Sequence, residues 1–159
     1  MPQISPMLWF DTEAEEAAEF YVSVFPNSKI ASVSHYNDAG PRPAGMVLTV
    51  AFVLDGEPYV ALNGGPDHKF NEAISFVINC SDQQEVDYYW AKLSEGGEEG
   101  PCGWLKDRYG LSWQVVPDGL IELLSSPDQG RATRAVRAML AMSKLDLAAI
   151  QAAADGSKS

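Results

Sequence analysis

Cys102-Gly-Trp-Leu-Lys-Asp-Arg-Tyr-Gly-Leu-Ser-Trp-Gln-Val-Val-Pro117 is the stretch on which the fold depends. It reads as two strands folded about a tight turn. In the turn, Asp107-Arg108-Tyr109-Gly110, the Asp bonds the backbone at its start and the Gly tolerates a positive φ at its end. Leu111 to Val116 is rich in aromatic and β-branched residues, as strands are. Side chains alternate along a strand, so Ser112, Gln114 and Val116 point one way and Trp113 and Val115 the other. A polar Gln on a strand otherwise suited to burial needs a partner, either within the fold or in a ligand.

The elements leading to this hairpin occur twice. Ile4 to Phe10 is expected as a short, almost fully buried strand. Thr12 and Glu15 then form a predicted capping box, and Ala14, Ala17, Ala18, Tyr21, Val24 and Phe25 give one apolar helical face. Pro26-Asn27 ends that helix. Strands are expected over Lys29 to Asn37, Met46 to Leu54 and Tyr59 to Asn63, with Asp55-Gly56 as a hairpin turn. After a polar connector the order restarts. Ala73 to Cys80 is a strand, Ser81 with Gln84 a second capping box, and Val86, Tyr89, Trp90 and Leu93 a second apolar face that Gly96-Gly97 ends. A weaker strand is expected near Glu98–Gly100. Thr12 to Ser81 is a displacement of 69 residues, as are Tyr21 to Trp90 and Val24 to Leu93. A constant displacement marks a duplicated module of strand, helix and three strands.

The expected organisation is one domain over 1–159, with a first module at 1–64, a connector at 65–71, a second module at 72–117 and a helical extension at 118–159. In that extension Leu120, Ile121, Leu123 and Leu124 fit a short helix that Pro127 breaks. Ala132, Ala135, Val136, Met139 and Leu140 fit a second, with Arg131, Arg134 and Arg137 along its other face. Leu147 and Ile150 fit a third, and Ala152 to Ser159 is expected to fray.

Composition excludes several classes. The chain has 159 residues, 46% apolar and 21% charged, as globular chains do. No apolar run approaches the ~20 residues of a membrane span, and no signal pattern opens the chain, so a cytoplasmic protein is expected. The net charge of −11 argues against nucleic acid or an anionic membrane as partner, and leans toward a cationic ligand. Cys80 and Cys102 fit no metal spacing and are expected as reduced core thiols rather than a disulfide.

Phe10-Asp11 through Ala14-Glu15-Glu16-Ala17 to Phe20-Tyr21, Asn63-Gly64-Gly65-Pro66, Phe70-Asn71-Glu72-Ala73-Ile74-Ser75 and Cys102-Gly103-Trp104-Leu105-Lys106-Asp107 resemble one family. It is the PhnB-like branch of the vicinal-oxygen-chelate (glyoxalase/bleomycin-resistance/dioxygenase) superfamily, whose members are often labelled 3-demethylubiquinone 3-methyltransferase-like. The resemblance spans nearly the whole chain. It implies an α+β fold of two βαβββ modules, forming half-barrels of mixed sheet around a cavity, with C-terminal helices added, and a homodimer. Metal-using members place His or Glu at four inward strand positions. Matched by motif, those positions hold Pro6, Ala61, Ala73 or Ser75, and Gln114. Pro and Ala offer no ligand atom, and neutral Ser and Gln are poor ligands for a first-row metal. No metal site and no cofactor are therefore expected.

The candidate ligand-binding residues are Gln114, Trp104, Asn63, Ser75 and Glu72. Each also has a structural reading. Gln114 can bond a neighbouring strand, Trp104 can fill core, and Asn63 and Ser75 can be satisfied strand-end groups. Glu72, a general base if desolvated, can be an exposed strand-entry carboxylate. His68-Lys69 reads as an anion contact or a solvated connector. The expected function is metal-independent binding of an unidentified small molecule in the cavity. The alternatives are an enzyme of the same fold, by group transfer or acid–base chemistry, including the methyltransferase-like label that the resemblance carries, and an interaction protein whose cavity is vestigial.

Overall fold

A computed structural model describes residues 1–156. The chain divides into two compact units, Met1–Phe70 and Asn71–Ser159. In the first, β1 (Met7–Phe10), α1 (Ala14–Val24), β2 (Lys29–His35), β3 (Val47–Leu54) and β4 (Glu57–Asn63) build a four-stranded sheet in the order β1-β4-β3-β2. β1 runs parallel to β4 and the other pairs are antiparallel. In the second, β5 (Ser75–Cys80), α2 (Gln83–Ser94), β6 (Glu98–Glu99), β7 (Trp104–Lys106) and β8 (Ser112–Pro117) repeat the plan in the order β5-β8-β7-β6. β5 is parallel to β8, and the other two pairs are antiparallel. The duplicated βαβββ module is thus present in full, within an α+β fold.

In the first unit α1 packs on β3 and β4. Ala14, Ala17 and Ala18 are fully buried and let the helix approach closely. Tyr21 stacks on Phe52 at 6.3 Å, and Phe52 on Tyr59 at 5.5 Å. Burying a side chain such as Phe52 stabilises the fold by about 1.5–3 kcal/mol. Asp55 and Gly56, at φ 47° and 84°, make the β3–β4 turn, as a two-residue hairpin requires. β1 is shorter and less buried than expected. Only Leu8 and Phe10 are buried and Met7 is 57% exposed, because β1 is an edge strand.

Both helix starts differ from the predicted boxes. The N-cap of α1 is Glu13, which makes no side-chain cap bond, and Asn63 Oδ1 accepts from Ala14 N at 2.8 Å instead. The N-cap of α2 is Asp82, one residue past Ser81. Its carboxylate accepts from Glu85 N at 2.9 Å, while Glu85 accepts from Ser81 N at 2.8 Å. Asp caps a helix as well as Ser does, so the sequence left the register open by one.

The hairpin quoted above forms as predicted and carries more bonds. Asp107 is 2% exposed, and its Oδ1 accepts from Tyr109 N at 2.8 Å and Leu111 N at 3.1 Å. Gly110 closes the turn at φ 86°. Trp113, Val115 and Leu105 are buried on the face where α2 packs.

The extension forms α3 (Leu120–Leu124), α4 (Gln129–Leu140) and α5 (Leu147–Ala154). Leu120, Leu123, Ala135, Leu145, Ile150 and Ala154 make its core. Two arginines of the expected stripe act inside it. Arg131 pairs with Asp155 at 3.3 Å, and Arg134 Nε donates to the Ala154 carbonyl at 2.9 Å. Both stabilise the C-terminal end of α5. Ala152 to Ala154 are the last turn of that helix and Ala154 is fully buried, so fraying there does not occur. Residues 157–159, the rest of that expectation, lie outside the described residues. Gln83 ties the extension to α2, donating to the Leu145 carbonyl at 2.9 Å and accepting from Leu147 N at 3.3 Å.

Candidate functional site

Register fixes which side chains share a face of the second sheet. Ser112 lies opposite Ser75 on one side and Lys106 on the other, and Gln114 lies opposite Val77 and Trp104. Registered partners project to the same side. Ser75, Val77, Trp104, Lys106, Ser112 and Gln114 therefore form two rows on the face away from α2. On that face Gln114 Nε2 donates to Ser75 Oγ at 2.9 Å. Two candidates far apart in sequence are thereby brought together, and each has the partner within the fold that the structural reading required.

A pocket of about 350 Å³ opens beside these rows. Its lining includes Glu72, Glu98, Pro101, Trp104, Lys106 and Ser112. Gly97 lets the chain pass close to β7, since a Cβ there would lie 2.1 Å from the Lys106 carbonyl oxygen. Lys106 and Glu72 form an ion pair, with 40% and 57% of their side chains exposed. The hydrogen bond from Lys106 is the main cause holding the Glu72 carboxyl below its ordinary range. The same bond raises the Lys106 ammonium. Glu99 also lines the pocket, and its Oε1 accepts from Trp90 Nε1 at 2.8 Å.

Ser112 is fully buried, and its hydroxyl has no hydrogen-bond partner among the described residues. Buried hydroxyls are normally paired, and this one is an exception. Neither Ser112 nor Lys106 stood among the candidates. The strand parity that singled out Gln114 was the signal for Ser112, and the register opposite Ser112 was the signal for Lys106.

The remaining candidates divide. Trp104 is half-buried in the pocket lining, and Glu72 stands at its edge as an exposed, paired carboxylate. Asn63 belongs to the first unit and is 2% exposed. Its Oδ1 caps α1 and its Nδ2 donates to the Val47 carbonyl at 3.0 Å, while its carbonyl accepts from Tyr36 Oη at 2.6 Å. That is a structural role. His68 meets the Trp9 ring edge-on at 4.7 Å. Cys80 and Cys102 are both free thiols.

The superfamily's metal positions do not fit an ion here. Ser75 and Gln114 are neutral and bonded to each other. Among the described residues, no group of three or more His, Cys, Asp or Glu side chains is placed to hold one. After Gly64-Gly65 the next helix begins at Gln83, so no helix N-terminus directly follows this glycine pair.

Two βαβββ units, each with its first strand parallel to its last, define a protein of the vicinal-oxygen-chelate fold. The chain belongs to the 3-demethylubiquinone-9 3-methyltransferase family, whose model it matches over residues 2–116. It is similar to the PhnB protein of Bacillus cereus, with 33% identity and a TM-score of 0.65 over 73% of this chain and 99% of that one. Protein PA1353 of Pseudomonas aeruginosa shares 21% identity at a TM-score of 0.61, over 74% and 98% of the two chains. The fosfomycin resistance protein FosX of Listeria monocytogenes, in a structure with Mn(II) and sulfate, shares the fold at 18% identity and a TM-score of 0.54, over 78% and 98%. No curated protein matches the chain. Among the described residues no helix is long and apolar enough to cross a membrane.

Proposed function

We propose that this chain binds a small organic molecule in the pocket of its second unit, without a metal ion. The observation that carries this reading is the orphaned Ser112 hydroxyl, buried at the wall of a pocket of about 350 Å³ that Trp104 also lines. Ligand sites of this kind combine apolar walls with a few polar groups and fall in the range of about 300–1,000 Å³. A vestigial cavity would be filled, which the pocket's volume argues against.

Binding is favoured over acid–base catalysis by the state of the polar groups. A general base works best with a pKa near the operating pH. Lys106 holds Glu72 in the opposite direction, and the partner of Gln114 is a hydroxyl rather than a carboxylate or imidazole.

A metabolite screen read by thermal unfolding tests the proposal. A ligand at a hundred times its Kd stabilises by about 2.7 kcal/mol, a shift of several degrees in a chain of this size. Trp104→Ala is expected to abolish the shift, with circular dichroism showing that the variant is folded. A hit whose crystal soak places it outside the pocket sinks the reading, as does a broad screen without any hit.

A further inference from the structure

We infer that the ligand of this pocket is an organic cation, a protonated amine or quaternary ammonium carrying a small apolar group. The inference rests on the binding reading above and names its chemical class. The carboxylates of Glu72 and Glu98 stand against the single ammonium of Lys106, while the Glu99 carboxylate is held by Trp90 on the α2 face. That ammonium is already engaged by Glu72. An incoming anion therefore meets a neutralised cation with Glu98 beside it, whereas an incoming cation meets an excess of negative charge.

Two further groups select what the cation carries. Trp104 supplies an indole, the aromatic ring that attracts cations best, and Pro101 extends the apolar wall. The buried Ser112 hydroxyl offers a hydrogen bond to the ligand and is the independent sign that the acidic lining is a site rather than a solvated surface. The whole chain, at a net charge of −11, draws cations toward it at long range.

Titration calorimetry of the purified full chain with three probes of one shape tests this: 2-phenylethylamine, 2-phenylethanol and phenylacetate. The amine is expected to bind about tenfold or more tighter than the alcohol, with phenylacetate weakest. Glu98→Gln should reduce the preference for the amine, and raised salt should weaken the amine while sparing the alcohol. Ser112→Ala should weaken the amine with the circular dichroism spectrum unchanged. Equal affinity for amine and alcohol, or tightest binding of phenylacetate, overturns the cation inference. If that binding is lost in Trp104→Ala, the pocket remains a binding site and only the ligand class is wrong. Absence of binding by all three probes also overturns the inference, and the metabolite screen then decides the binding reading separately.

Discussion

The indole N–H of Trp113 donates to Oδ2 of Asp107 at 2.9 Å, both residues being almost wholly buried. The other oxygen of the same carboxylate holds the turn, so one side chain fixes the hairpin, its register and a core tryptophan together. Asp107→Ala leaves the N–H groups of Tyr109, Leu111 and Trp113 without this acceptor. An unsatisfied buried donor costs about 1–3 kcal/mol. Urea unfolding should show a loss of about 3 kcal/mol or more, and Asp107→Asn, which keeps one acceptor oxygen, should lose less. A loss under 1 kcal/mol for the Ala variant would show that the carboxylate does not organise the hairpin.

Asn63 should matter for stability rather than for ligand. Asn63→Ala removes the cap of α1 and uncovers the Val47 carbonyl, for an expected cost of about 1–3 kcal/mol. Thr12→Ala should lie within about 0.5 kcal/mol of the parent, because the helix start is capped from β4. The two variants compared by thermal unfolding check this, and the reverse order would restore the Thr12 capping box.

Burial pushes the Cys80 thiol up to about 12, with the nearby carboxylates of Glu85, Asp118 and Asp82 adding to the effect. The folded chain thus keeps a proton that the unfolded chain releases near 9.0. The contribution of this thiol to stability is intact below pH 9 and falls as pH rises from there toward 12. Cys80→Ala should flatten that part of the stability profile. Iodoacetamide at pH 8 should label partly exposed Cys102 in the native chain and Cys80 only after unfolding. Rapid labelling of native Cys80 would contradict its burial.

Lys106 sets the acidity of Glu72. The carboxyl lies below its ordinary range while the pair is intact, so any stability the pair adds is present above that range and is lost as pH falls through the lowered value. Lys106→Met should return the carboxyl toward its ordinary value in a carbon NMR titration. Because both groups are exposed, the unfolding midpoint at neutral pH should hardly move. An unchanged titration would show that the pair does not persist in solution.

We propose that the chain assembles as a homodimer. Ile121 on α3 is 68% exposed and Leu140 on α4 is 60% exposed, apolar surface that a second copy would cover. Light scattering across a dilution series should give about twice the 17.3 kDa chain mass at micromolar concentration. A single species at the chain mass would refute it, and Ile121→Lys should shift a true dimer toward that mass.

The sequence alone determined the module. Period-2 and period-3.6 patterning, turn residues such as Asp55-Gly56 and Asp107 to Gly110, and the 69-residue displacement are local or repeating signals, and each is visible without knowing what packs against what. The N-caps at Glu13 and Asp82 keep the same displacement although both lie one residue beyond the predicted boxes. What tertiary structure decided is where polar groups find partners across long separations. Asn63 is drawn to a helix 49 residues earlier, and Gln114 to a serine 39 residues earlier. Ser112 is left unpaired where the parallel pairing with β5 and the antiparallel pairing with β7 meet. Strand pairing across such distances sets which hydroxyl is buried without a partner, and no local pattern in the sequence encodes it.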